Sequence, residues 1–162
     1  MKKYALLLMI SLMFTGCGAQ ETFETVADEY VQSAAAPLRE VILELPEEAM
    51  VPASESGDGT LYLCDGYEIQ VRVLPAGDLD GTIREIAGFS QSQVTLMQTD
   101  RAEYKRFDLV WSTLGEQGEQ VGRAAILDDG SYHYVLTVLA EADRAGEFES
   151  VFRALFENYG LT

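Results

Sequence analysis

The sequence predicts an α+β domain: an antiparallel sheet of about six or seven strands flanked by two or three helices. Three observations carry this. In residues 67–74, Tyr67, Ile69, Val71 and Val73 alternate with Glu68, Gln70 and Arg72, the period of a strand with one buried and one wet face. Further strand-like runs follow one another across short, glycine-containing breaks, and consecutive strands joined by short turns must be antiparallel. The last run then changes period. Phe148, Val151, Phe152, Leu155, Phe156 and Tyr159 make the apolar stripe of an amphipathic helix.

Taken in order, residues 22–36 predict a first amphipathic helix, with Phe23, Val26, Ala27, Tyr30, Val31 and Ala34 on one face, Thr22 as N-cap and Pro37 as its stop. Residues 39–45 read as a strand, with Val41, Leu43 and Leu45 sharing a face and Pro46 closing it. Residues 52–59 are polar and rich in breakers, which predicts a surface loop. Strands over 61–64 and 67–74 flank Asp65-Gly66, the dipeptide that suits a type I′ hairpin turn. Residues 78–89 predict a short helix with Leu79, Ile83, Ile86 and Ala87 inward. Strands then follow over 93–98, 104–114, 120–127 and 131–140, with turns at 115–118 and 128–130. The final helix covers 143–159, and Gly160 is placed to stop it.

The N-terminus has a different character. Lys2 and Lys3 precede an apolar run from Tyr4 to Phe14 that only Ser11 interrupts, and Thr15, Gly16 and Cys17 close it with small residues. Charge, apolar stretch and small-residue end make an export signal. As a helix the run would be roughly 16 Å long, short of the ~20 residues that a transmembrane span needs. Phe14-Thr15-Gly16-Cys17 resembles the lipobox of bacterial lipoproteins, although Leu is usual where Phe14 stands. The resemblance implies that residues 1–16 are removed and that Cys17 is acylated as the new N-terminus. Residues 17–21 would then be a lipidated tether and residues 22–162 one α+β domain. At about 0.8 kcal/mol per buried CH₂, the two or three acyl chains implied anchor a protein firmly.

Removing 16 of 162 residues leaves 146, enough for one domain with a real core. The chain has 27 Asp and Glu against 11 Lys and Arg. Lys2 and Lys3 leave with the signal, so the mature balance is 9 against 27, or −18. Such a charge disfavours nucleic acid and anionic lipid surfaces, so membrane attachment falls to the acyl group. With Cys17 acylated, Cys64 has no partner for an internal disulfide, and its place in an apolar strand reads as an inert buried thiol.

Residues with chemistry are few. His133 is the only histidine, and no nucleophile elbow accompanies it. Zinc would need further Cys or His ligands, so a hydrogen-bonded strand histidine is the better reading. Trp111, Tyr132 and Tyr134 are candidates for an aromatic ligand platform, weighed against ordinary cross-strand packing. Asp78-Leu79-Asp80-Gly81 fails the EF-hand pattern, since Gly81 comes too early and Phe89 stands where a Glu is needed, so helix capping accounts better for the aspartates. The pairs Glu47-Glu48, Asp128-Asp129 and Glu55 with Asp58 fall in expected turns, where carboxylates are usually solvated. No catalytic residue, metal site or cofactor is predicted.

Ser131-Tyr132-His133-Tyr134-Val135-Leu136-Thr137-Val138, followed by a helix ending Phe156-Glu157-Asn158-Tyr159-Gly160-Leu161, is similar to the PsbP-like and DcrB-like α+β family. In element order the resemblance spans roughly residues 38–161. It implies the fold, and a group made up mostly of non-catalytic accessory or assembly proteins with no shared active site. The expected function is therefore that of a lipid-anchored extracytoplasmic binding or accessory protein with an envelope protein partner. A small-ligand or divalent-cation sensor is the alternative. The resemblance places the chain on the outer leaflet of a single-membrane cell, and Gly18 would permit export to the outer membrane in a two-membrane cell.

Overall fold

The computed structural model describes residues 36–115 and 118–162. The signal, Cys17, the tether, the helix expected up to residue 36 and the middle of the 115–118 turn lie outside them, save that Ala36 itself is described.

Nine strands and two helices make up the described chain: β1 (Val41–Ile42), β2 (Ser54–Ser56), β3 (Gly59–Cys64), β4 (Tyr67–Pro75), α1 (Leu79–Ala87), β5 (Thr95–Asp100), β6 (Lys105–Gly115), β7 (Gly118–Asp128), β8 (Tyr132–Glu141), α2 (Glu149–Asn158) and β9 (Gly160–Leu161). Seven of the strands form one sheet in the order β2-β3-β4-β8-β7-β6-β5, with every neighbouring pair antiparallel. The chain builds β2–β4, crosses with α1 to the far edge at β5, and returns strand by strand until β8 pairs with β4. This is the α+β fold expected, with α1 and α2 on opposite faces of the sheet.

β8 is the central strand, and it is buried at nearly every position, on both faces. On one face Ile69, Leu127, Leu136 and Val138 pack under α2 and the chain around β1. On the other, Leu74, Leu109, Ile126 and Val135 pack under α1. Each such side chain contributes about 1.5–3 kcal/mol when fully buried.

α1 begins at Asp78, whose side chain accepts from Asp80 N, and ends at Gly88 in the left-handed conformation, φ +74°. The capping reading of Asp78 is thus what the structure has. Arg72 on β4 ties this region together, pairing with Asp58 in the β2–β3 turn and with Glu85 on α1.

Several elements depart from expectation. The strand over 39–45 reduces to β1, and it pairs with β9 rather than joining the main sheet. Its face assignment holds: Val41, Leu43 and Leu45 pack inward while Ile42 is exposed. The loop over 52–59 contains β2, an edge strand exposed at all three positions, so only backbone pairing defines it. At Asp65-Gly66 only Gly66 has a positive φ, +86°, which excludes the type I′ turn. Residues 91–93 form a 3-10 turn and β5 starts at Thr95 rather than residue 93. The last helix is shorter than its stripe, with residues 145–148 wound as a 3-10 turn ahead of α2. Gly160 does not stop it. Tyr159 leaves the helix in an extended conformation, φ −74° and ψ 119°, because Gly160 and Leu161 pair with β1.

Candidate functional site

α2 covers only part of its sheet face. Beyond it, β5 and β6 present Met97 and Val110, which are 61% and 45% exposed, whereas Trp111 on the opposite face is 5% exposed. Where the covered and open parts meet there is a cleft lined by Met97, Arg101, Arg106, Asp108, Arg123 and Phe156, among others. Strand register assembles it. Val110 pairs with Arg123 and Asp108 with Ala125, and the alternation of strands turns Arg106, Asp108 and Arg123 to the same side as α2.

Arg106 is fully engaged. Its guanidinium donates to both Asp108 oxygens, Nε to Oδ2 at 2.8 Å and Nη2 to Oδ1 at 2.9 Å. It also donates to Phe156 O at 2.8 Å and Tyr159 O at 3.0 Å. Those carbonyls belong to the end of α2, where helix geometry leaves oxygens without partners and a positive charge is favoured. Arg106 therefore clamps the C-terminus of α2 onto β6.

The clamp positions Phe156, whose ring lies 4.1 Å from the Arg123 guanidinium carbon. Arg123 itself is half-buried and, among the described residues, its side chain makes no hydrogen bond or ion pair. Burial pushes its pKa down, opposed by the charge of Asp108 and reinforced by that of Arg106. The described residues hold nine Lys and Arg, and six of them pair with carboxylates: Arg39, Arg72, Arg84, Arg106, Arg144 and Arg153. Arg101, Lys105 and Arg123 are left, and two of these three line this one cleft.

The residues singled out from sequence are distributed differently. Trp111 packs under α1, whereas Tyr132 and Tyr134 face the α2 side, so the three do not meet on one platform. Tyr132 and Tyr134 make an edge-on pair with ring centres 6.2 Å apart. The Tyr134 hydroxyl accepts from Arg39 N at 2.8 Å and donates to Asp129 at 3.2 Å. Cys64 is half-buried rather than buried, and burial raises its thiol pKa.

Four of the six turn carboxylates have structural partners. Glu48 accepts from the Tyr67 hydroxyl at 2.6 Å, and Asp58 accepts from Ser56 and Arg72 at 2.7 Å each. Asp128 accepts from Gly130 N, and Asp129 from Ser131 N and Tyr132 N, all at 2.8 Å. Burial acts to raise Asp129, but those amide bonds hold its carboxyl below the ordinary value. Among the described residues no group of three or more His, Cys, Asp or Glu side chains is arranged to hold a metal ion.

His133 is buried, and its Nδ1 lies 2.7 Å from Oγ1 of Thr82 on α1. Burial pushes its pKa below the ordinary 6.5, although the charges of Asp128 and Asp129 pull the other way. A histidine depressed in the folded state binds fewer protons there than in the unfolded chain, so its contribution is full above pH 6.5 and lost as pH falls toward the folded value. Urea midpoints are therefore expected to fall between pH 7.5 and about 5.5, a range in which Asp129 does not titrate. In His133→Gln that slope should flatten. An unchanged slope would place the titration elsewhere.

The fold is PsbP-like. The chain is similar to a solved structure from Mycobacterium tuberculosis, LpqN, described as involved in cell envelope biogenesis, with a TM-score of 0.53 and 10% identity over 80% of this chain and 87% of LpqN. It is similar also to cyanobacterial PsbP (CyanoP) from Synechocystis sp. PCC 6803, with a TM-score of 0.51 and 9% identity over 78% of this chain and 95% of that one. No protein-family profile matches the sequence, and no curated protein does. At such identities the likeness is one of fold. The pairing of Arg106 with α2 and the unpaired state of Arg123 are not visible in sequence, since both depend on strand register.

Proposed function

We propose that this chain is a lipid-anchored extracytoplasmic accessory protein, held at the membrane through Cys17, that binds an envelope protein partner and performs no catalysis of its own. The observation that carries the reading is the half-covered sheet face. A surface with Met97 and Val110 exposed beside an Arg123 that has no ion-pair partner among the described residues suits docking. Of the titratable groups weighed for chemistry, His133 is engaged by Thr82, and Glu48, Asp58, Asp128 and Asp129 by Tyr67, Ser56, Arg72 and backbone amides. The likeness to a protein involved in cell envelope biogenesis supports an extracytoplasmic location. So does the N-terminal signal with its Phe14–Cys17 lipobox. No helix among the described residues is long and apolar enough to cross a membrane.

The test is co-purification after crosslinking of the native protein from its own membranes, beside a Cys17→Ala control. The expected result is a stoichiometric envelope partner that is lost in the control. Fed with labelled palmitate, cells should label the wild type and leave Cys17→Ala unlabelled and free of the membrane fraction. Palmitate labelling that persists without Cys17 would remove the anchor. Turnover of an envelope substrate by the purified protein would remove the non-catalytic reading.

A further inference from the structure

The geometry points to the Arg123 cleft as a carboxylate-binding site, the place where an Asp, Glu or C-terminal carboxylate of a peptide or protein partner docks. The inference rests on the accessory-protein reading only for the source of the carboxylate.

Among the described residues the half-buried Arg123 guanidinium has no acceptor, which leaves strong donors unsatisfied, and charge-assisted bonds are the strongest that such a group can make. The Arg123 guanidinium carbon sits over the Phe156 ring, 4.1 Å from its centre, a cation–π contact that holds the fork in place. The donors point outward from the rim of the fork, in the plane that matches a carboxylate bidentately. Phe156 is in turn held by the bond from Arg106 to its carbonyl. The donors are thus pre-oriented, which lowers the ordering cost of binding.

Charge selects the ligand. Asp108 neutralises Arg106 through two bonds, leaving Arg101 and Arg123 against Glu157 in the cleft lining. The balance is a single positive charge, which one carboxylate cancels, whereas a phosphate monoester dianion would leave an excess negative charge beside Glu157. A phosphodiester headgroup also carries one charge, but in zwitterionic lipids a neighbouring ammonium already offsets it, and where it stands alone the anionic surface is repelled by the strongly acidic chain. The exposed Met97 and Val110 next to the cleft supply apolar contacts for residues on either side of the acidic one.

The test is a titration of the ¹⁵N-labelled full chain in detergent with acetyl-Val-Glu-Val-amide, its Gln counterpart and dimethyl phosphate, read by amide chemical shifts. The Glu peptide is expected to give saturable shifts at Val110, Arg123 and Phe156. The Gln peptide should bind about tenfold more weakly or worse, as loss of one charge-assisted bond implies. Arg123→Gln should abolish the shifts, Arg123→Lys should weaken binding while keeping the charge, and Arg84→Gln, an exposed arginine on α1 across the sheet, should change nothing. Equal binding of the Gln peptide, tighter binding of dimethyl phosphate, or shifts that persist in Arg123→Gln would each overturn the site. If Arg123→Gln fails to fold, Arg123→Lys and the Glu–Gln peptide pair decide. A failed titration leaves a co-purified partner standing, and a positive titration with no partner overturns the accessory reading instead.

Discussion

Arg106→Ala is expected to destabilise the domain by about 3–5 kcal/mol, the usual consequence of removing one partner of a buried ion pair. Its side chain and that of Asp108 are only 12% and 15% exposed, so water recovers little of what is lost. The alanine would strand the Asp108 carboxylate and free the Phe156 and Tyr159 carbonyls at the end of α2. Arg106→Lys should cost less, because it keeps the charge, but one ammonium cannot reproduce a fork that reaches two oxygens of Asp108 and two carbonyls. Denaturant midpoints of the three proteins give the order. If Arg106→Ala unfolded within about 1 kcal/mol of the wild type, as exposed ion pairs do, the clamp would be a surface contact only.

Gly122→Val should be comparably severe for the opposite reason, too much volume. A Cβ at Gly122 would lie 2.1 Å from Trp111 Cε2 and 2.3 Å from Cζ2, against an indole that is 5% exposed. Either the ring leaves its site under α1 or the strands separate, and with a rigid indole in the way the cost should reach the upper end of the usual ~1–3 kcal/mol for overpacking. Trp111 is the only tryptophan, so its fluorescence reports the event directly. The emission should shift to the red in Gly122→Val. Trp111→Leu combined with Gly122→Val should be more stable than the sum of the two single changes, since residues in contact are not additive. Strict additivity, or an unshifted emission, would show that the indole does not occupy the space above Gly122.

The elements legible in the sequence are those whose own side chains define them. The hairpin β3–β4, the helix α1 with its Asp78 cap, and the stripe from Phe148 to Tyr159 all carry their period in the residues. β2 was not legible, because Ser54–Ser56 buries nothing and exists only through backbone bonds to β3. The extent of β1 and the end of α2 were misread for a shared cause. Val41 and Ile42 pair with Leu161 and Gly160, far away in sequence, and that pairing draws the chain out of the helix at Tyr159.

The aromatic candidates and the arginine cleft show the same division. Strand parity within β6 and β8 can be read from alternation, but which faces of two strands coincide depends on their register across β7. In that register Trp111 sits opposite Gly122, and Tyr134 opposite Leu127, on opposite sides of the sheet. The same register brings Arg106, Asp108 and Arg123 together beside Phe156, and so decides which arginine is satisfied and which is left open. Period, turn residues and charge are local properties, and so the α+β class, the antiparallel order of strands within each run and the acidic character of the chain can all be read from the residues alone. Where the open sheet face lies, and which cation it presents, follows from pairing between distant strands, which the packing of the whole core settles.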